Sequence, residues 1–264
     1  MDNQRWELGR SRWRSDREVI RPSEYEVEPM AGKDARAIAF VVEHHYSRKF
    51  PSGRFSYGLR RHGTLVGVAV FSHPTNDRTL TNVFPCDPLE AVELGRLVLL
   101  DEVPGNGESF FVARAFEQLR KEGIKGVVSF SDPVRRRTAE GQIIFPGHIG
   151  GVYQALNAVY AGRATARTLR VFADGTVFND RTAQKIRKHE KGWEGAIEEL
   201  ERRGAESFRG DSREWLRTWT PLLTRPVKHG GNHKYLWALD KRLRNALPPS
   251  QPYPKRIDQD AAAG

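Results

Sequence analysis

Cysteine is nearly absent from this chain, with Cys86 the only one in 264 residues. A lone thiol excludes an intrachain disulfide and a zinc site built from several cysteines, and it fits a reducing cytoplasm. Cys86 itself reads either as packing or as a nucleophile. Long apolar runs are missing too. No stretch approaches the roughly 20 apolar residues of a membrane helix. Arg and Asp fill the first twenty positions, where a signal peptide needs an apolar stretch. The expectation is a cytoplasmic protein with no membrane partner. No internal repeat stands out, and no HxxxH or HExxH spacing exists, so spacing lends a metal site little support. Acidic residues are the minority, 33 Asp and Glu against 43 Lys and Arg, for a formal charge of +10 and a pI near 9.9. Such a balance points to a polyanion, nucleic acid first, although basic surfaces also serve solubility. The hydrophobic share of 38% suffices for a core, and the length fits one large domain or one domain with an elaboration.

What the chain does have is organised around Leu94 to Leu119. Leu97 to Leu100 reads as a strand buried on both faces. Pro104-Gly105-Asn106-Gly107 breaks it. Ser109 can cap a helix whose Phe111, Val112, Ala115, Phe116 and Leu119 repeat at helical spacing. A second buried strand follows at 126–131. A helix N-terminus behind a glycine loop offers unpaired N–H groups to an anion such as a phosphate; the other reading is a plain strand-to-helix connection.

Around this stretch, residues 1–22 form a basic N-terminal arm with Trp6 and Trp13. It reads as a phosphate-touching arm or as a tail whose tryptophans pack on the domain. A strand at 25–30, a helix at 34–46, strands at 57–61 and 65–71 and a short strand at 79–83 lead to the strand at 92–100 and the helix at 109–121. After the strand at 126–131 come a loop with Arg135, Arg136 and Arg137, a helix at 152–160, a hairpin of 169–172 with 177–178 around Asp174-Gly175, and a last strand at 235–239. Residues 23–245 are expected to form the main domain, and 246–264 a disordered tail. Between Arg181 and Arg244 there are 16 Lys and Arg against 9 Asp and Glu. The helical, basic insertion at 182–228 is therefore the expected nucleic-acid surface, with Lys185, Arg187 and Lys188 joined by Arg135, Arg136 and Arg137 as contacts. The competing reading is a solvated helix face on which Glu198, Glu199 and Glu201 pair with Arg202 and Arg203.

This order of elements resembles the layout of the Gcn5-related acetyltransferases. The fold class expected is α/β (α+β), a mixed, mainly antiparallel sheet flanked by helices, with the basic insertion before the last strand. The resemblance implies acetyl-CoA or a related donor held at Gly105, Asn106, Gly107 and Ser109. One departure stands out. No basic residue leads the glycines, and Glu108 puts negative charge near any pyrophosphate.

Several polar clusters could carry chemistry. His44 and His45 point about 100° apart on a helix, so one of them faces a given site, and His45 falls on the apolar side. It reads as a packing residue or as a ligand. Asp132 follows a buried strand, where carboxylates line ligand crevices or cap turns. His148 to Asn157 opens a helix, and His229 to Tyr235 is a His- and Gly-rich turn. Imidazole, carboxylate and phenol suit a transition metal with open positions, or acid–base work on a nucleobase amine. Arg96 lies in an apolar strand and must be paired, either with Glu93 or another core carboxylate, or with an anionic substrate.

Together His45-Tyr46-Ser47, Glu93 to Leu97, Gly105 to Ser109, Ser131-Asp132-Pro133, His148 to Asn157 and His233-Lys234-Tyr235 resemble the Mom family of phage DNA-modification proteins, over roughly residues 35–240. The resemblance implies an enzyme that converts adenine in duplex DNA to N6-carbamoylmethyl-adenine and so shields phage DNA from host restriction. It implies a site of His45, Tyr46, Tyr57, Arg96, Ser109, Asp132 and Tyr153, and iron at His45 and Tyr46. Double-stranded DNA is the expected partner, with a homodimer left open. Two other classes compete: an acyl-CoA-dependent N-acyltransferase acting on a protein or small amine, and a DNA-binding protein without catalysis.

Overall fold

The structure is a computed structural model that describes residues 3–7, 10–15, 17–74 and 76–255. The chain opens with β1 (Asn3–Glu7), β2 (Arg10–Arg14), β3 (Tyr25–Ala31), α1 (Ala35–His44), β4 (Gly53–Arg61), β5 (Thr64–Ser72) and α2 (Arg78–Thr81). Next come β6 (Ala91–Leu99), α3 (Gly107–Lys121), β7 (Gly126–Ser131), β8 (Arg136–Arg137), β9 (Ile143–Phe145), α4 (Gly151–Ala155) and β10 (Val159–Arg163). The remainder is β11 (Arg167–Phe172), β12 (Val177–Phe178), α5 (Asp180–Lys188), α6 (Trp193–Arg202), α7 (Ser212–Leu223), β13 (Thr224–His229), β14 (His233–Ala238) and α8 (Lys241–Ala246). These fall into two units, a larger one of Met1–Pro133, His148–Ala164 and Asn232–Gly264, and a smaller one of Val134–Gly147 and Thr165–Gly231.

In the larger unit the main sheet runs β10-β14-β7-β6-β5-β4-β3. Its neighbours are antiparallel except for β6 and β7. This is the mixed, mainly antiparallel sheet expected from the sequence. One face is covered by α1, which starts where the Asp34 side chain accepts the Arg36 N–H at 2.8 Å. Its Ala37, Phe40 and Val41 recur at helical spacing and bury against Val68, Val70 and Val98. The other face is covered by α3, whose Phe111, Val112, Ala115, Phe116 and Leu119 pack with Phe71, Leu94 and Val127. Each large apolar side chain buried in this way contributes roughly 1.5–3 kcal/mol, so Phe111→Ala would cost about 3–5 kcal/mol.

The parallel pairing of β6 with β7 is short. It joins Ala91 to Gly126, Val92 to Val127 and Glu93 to Val128. Beyond that point β6 stays on β5 and β7 stays on β14, so a wedge opens between them. Ser129 Oγ donates to the Leu94 carbonyl at 2.9 Å where the two strands part.

The smaller unit has a sheet ordered β12-β11-β13 and the β8–β9 hairpin. Phe172 and Phe178 from that sheet pack with Ile186, Ile197, Leu200, Trp215 and Leu216 of α5, α6 and α7. Asn179 caps α5 through the Thr182 N–H, and Asp211 caps α7 through Arg213 and Glu214.

Several expectations change. Within the expected N-terminal arm, Asn3–Glu7 and Arg10–Arg14 pair antiparallel as β1 and β2, and Arg5 is buried. The side chains of Trp6 and Trp13 lie outside the described residues. The strand expected at 79–83 is the short helix α2, because Asn76 Oδ1 takes the Arg78 N–H and so starts a turn. The helix expected at 152–160 stops at Ala155, and Asn157 turns left-handed at φ 53°. Tyr160 then belongs to β10, an edge strand that the Tyr153, Leu156 and Tyr160 spacing hides inside a helical pattern. The 169–178 hairpin joins the smaller unit's sheet through β13, which also replaces the helical end of the 182–228 insertion. The tail is ordered as far as it is described. The Gln251 N–H donates to the Tyr160 carbonyl at 3.0 Å, and the Tyr253 hydroxyl to the Ala158 carbonyl at 2.7 Å. Residues 256–264 lie outside the described residues.

Candidate active site

The wedge gathers most of the polar residues that the sequence brings forward. On β6 the register passes from Phe71–Leu94 to Val70–Arg96, so Gly95 is an extra, bulged residue. A Cβ there would stand 2.9 Å from Ser72 Oγ. Bulges re-aim the side chains that follow them. Arg96 opposite Val70 and Glu93 opposite Ser72 consequently share one face of the sheet, the face that α1 covers. Arg96 Nε donates to the Lys49 carbonyl at 2.9 Å and Nη1 to the Gly95 carbonyl at 2.5 Å, and neither goes to Glu93. Among the described residues Nη2 has no hydrogen-bond partner. Burial pushes the Glu93 carboxyl above its ordinary range, and the nearby Arg96 charge opposes that.

His45 ends α1. Its Nδ1 accepts the Ser47 N–H at 3.1 Å and stands 2.8 Å from Ser47 Oγ. A nitrogen that accepts a backbone N–H carries no proton, so the neutral ring bears its proton on Nε2. Burial, with Arg96 and His148 adding to it, pushes the pKa down to about 3, and the ring is neutral at physiological pH. Tyr46 packs on it, with ring centroids 4.1 Å apart. This geometry does not fit the expected iron. Metal-bound imidazole presents a bare nitrogen to the metal and anchors its N–H elsewhere, whereas here the N–H is the outward atom. Among the described residues no group of three or more His, Cys, Asp or Glu could hold a metal ion.

Tyr153 reaches the wedge from α4. Gly150 precedes that helix at φ 73°, and a Cβ on it would meet the rings of Tyr235 and Tyr153 at 2.7 and 2.8 Å. The Tyr153 ring packs 5.3 Å from Tyr235 and 5.5 Å from Trp237. Its hydroxyl bonds with Ser129, and burial pushes its pKa up to about 12 although that bond works the other way. Tyr46, Glu93 and Arg96 lie near enough to act on it. Asp132 is the first residue past β7. Its carbonyl accepts the His148 N–H at 2.8 Å, and the His148 ring lies 6.5 Å from Tyr153. The structure thus brings His45, Tyr46, Arg96, His148 and Tyr153 together with Glu93 and Ser129, and sets Asp132 beside His148.

Two expected members stand elsewhere. Tyr57 is 2% exposed in the core, edge-on to Phe71, and burial, with the Glu122 charge adding to it, pushes its pKa up. Ser109 does not cap α3. The helix starts at Gly107, and the Ser109 hydroxyl donates back to the Asn106 carbonyl at 2.8 Å. The loop proposed for an acyl-CoA is also occupied at Gly105 and Asn106. The Gly105 N–H donates to Glu18 Oε2 at 3.1 Å, and Asn106 Oδ1 accepts the Ile20 N–H at 2.7 Å. The residues present do not fit a pyrophosphate there. The sequence reading gave Glu93 no role beyond pairing with Arg96, although an acid in an apolar strand raises the same question as that arginine.

The expected nucleic-acid contacts divide. Arg136 lies 3.9 Å over the Phe145 ring, and Arg137 donates to the Gly141 carbonyl at 3.0 Å, so these half-buried arginines hold their own hairpin. On α6, Glu199 pairs with Arg202 at 2.7 Å and with Arg203 at 2.8 Å, as the solvated-face reading has it. By contrast, Arg187 and Lys188 on α5 are exposed. Among the described residues Lys185, Arg187 and Lys188 form no ion pair.

Seven strands in this order, one parallel pair and a wedge beside it define the class, a divergent Gcn5-related acetyltransferase fold. The chain belongs to the Mom protein family, whose model matches residues 24–255. No curated protein matches it. Among solved structures it is similar to a tandem GNAT protein from the clavulanic acid biosynthesis pathway, at 12% identity and a TM-score of 0.42, over 82% of this chain and 99% of that one. It is also similar to a polyamine N-acetyltransferase of Drosophila melanogaster, at 10% identity and a TM-score of 0.39, over 81% and 99%. An N-acetyltransferase from Staphylococcus aureus Mu50 matches at 12% identity and a TM-score of 0.38, over 82% and 99%. At these scores the fold assignment rests on the sheet itself. No helix among the described residues is long and apolar enough to cross a membrane.

Proposed function

We propose that the chain modifies adenine at N6 in duplex DNA, giving N6-carbamoylmethyl-adenine and protecting that DNA from restriction. The observation that carries this reading is the β6–β7 wedge of a Mom family member, with Arg96, Tyr153, His45 and Glu93 gathered at it. DNA is held through its phosphates by the cations of α5. The target adenine leaves the stack, because N6 is hydrogen-bonded inside the duplex. Its lone pair is conjugated with the ring, so attack needs a proton acceptor. Asp132 takes the N6 proton as N6 bonds to the donor's methylene carbon, and the donor's carrier leaves with the electrons of the broken bond. Arg96 Nη2 binds the carbonyl oxygen of the donor's carboxamide, and His45 Nε2–H is a second, uncharged donor to it. Tyr46 offers a ring for the flipped base.

Nucleoside mass analysis of DNA from cells expressing the chain tests this. The expected result is an adenosine heavier by a carbamoylmethyl group, reduced by at least about 100-fold in Asp132→Ala. Unmodified adenine throughout, with the protein folded, would reject the reading in favour of an N-acyltransferase acting on another amine.

A further inference from the structure

The chain's own N-terminus occupies the loop that opens α3. Arg5 is 5% exposed and lies at the centre of this contact. Its Nε and Nη2 hold the two carboxylate oxygens of Glu108 at 2.8 and 3.1 Å. Its Nη1 donates to the carbonyls of Leu100 at 2.9 Å and Asp101 at 3.2 Å, and to that of Val103, while Nη2 reaches the Pro104 carbonyl at 3.0 Å. Four carbonyls converging on one guanidinium make a cradle for a cation. A diphosphate needs the reverse, several N–H groups converging on its oxygens.

The neighbouring residues agree. The Gly105 N–H is taken by the Glu18 carboxylate, and Asn106 Oδ1 accepts from Ile20. A Cβ on Gly105 would lie 1.9 Å from the Ser15 carbonyl oxygen, so this position is glycine because the N-terminal segment lies against it. Glu108 sits in the first turn of α3, where its carboxylate lies at the positive end of the helix dipole and 2.8 Å from Arg5 Nε. A diphosphate placed there would face a buried carboxylate and a second one from Glu18.

We infer that Arg5, Ser15, Glu18 and Ile20 are the resident partners of the 100–108 loop, and that the donor enters the β6–β7 wedge without anchoring a diphosphate at α3. The inference rests on the adenine reading for there being a donor at all. It assigns the donor to a class recognised by its transferable head, a carboxamide whose carbonyl meets Arg96, and not by a nucleotide handle.

Coenzyme A itself is the probe, added to the full chain at about 1 mM, the top of the usual KM range. Hydrogen exchange is read over β1, β2 and the 100–108 loop, in the native chain and in Glu18→Ala, which removes the carboxylate from the Gly105 N–H and keeps the Arg5–Glu108 pair. The expected result is unchanged exchange in both proteins. Exchange in β1 and β2 that quickens by about tenfold on adding coenzyme A, with slower exchange in the loop, would overturn the inference, because the segment would have given way to the diphosphate. The nucleoside analysis separates the two claims. Unchanged exchange without modified adenine defeats only the adenine reading, whereas shifted exchange with modified adenine defeats only this inference.

Discussion

The two units use charge in opposite ways. The larger one turns its important polar groups inward. Arg5 and Glu108 pair out of water, His45 is neutral against Ser47, and Arg96 spends two donors on carbonyls. The smaller one carries 17 Lys and Arg against 11 Asp and Glu, so fewer than a third of the residues hold +6 of the chain's +10. Its acids pair locally, as Glu190 does with Arg181 and Glu199 with Arg202; Glu190 also lies near enough to act on Lys185 and Lys188, while Arg187 and Lys188 stay exposed at the end of α5. Buried, oriented groups suit chemistry on one atom. Exposed cations suit a phosphate backbone, where each contact releases counterions and geometry matters less.

The contrast can be broken at its strongest point first. Arg5→Ala strands the Glu108 carboxylate, and losing one partner of a buried pair costs roughly 3–5 kcal/mol. Chemical denaturation should show a loss of that size, and a loss under about 1 kcal/mol would mean that the pair is not buried in solution. The next effect is a pH dependence. A His45 pKa depressed to about 3 gives stability that is complete above the unfolded value near 6.5 and is lost as the pH falls toward 3. Between pH 7 and 5 the native chain should lose roughly 2 kcal/mol that His45→Gln does not lose, and parallel pH profiles for the two proteins would refute the buried neutral ring.

The sheet was legible in sequence because its strands are either alternating or wholly apolar. Leu97 to Leu100 and Gly126 to Ser131 could hardly be anything else. Arg96 could be singled out because a guanidinium in such a strand needs a reason. What escaped was non-local. The left-handed turn at Asn157 overrides the helical spacing that runs through Tyr160, and only pairing with β14 shows the strand. Arg5 looks like any arginine of a basic tail, and its partners lie some hundred positions away. For His45 the sequence leaves packing residue and ligand both open, and only the Ser47 N–H on Nδ1 shows which nitrogen keeps the proton.

The most direct test of this division of labour is the salt dependence of duplex DNA binding, measured for the native chain, for Asp132→Ala and for the triple variant Lys185→Ala, Arg187→Ala, Lys188→Ala. The triple variant removes three cations, each neutralising one phosphate, and should lower the slope of log K against log salt by about 3, while Asp132→Ala leaves it unchanged. An unaltered slope in the triple variant, or an equal fall in Asp132→Ala, would contradict the assignment of DNA binding to the smaller unit and chemistry to the larger.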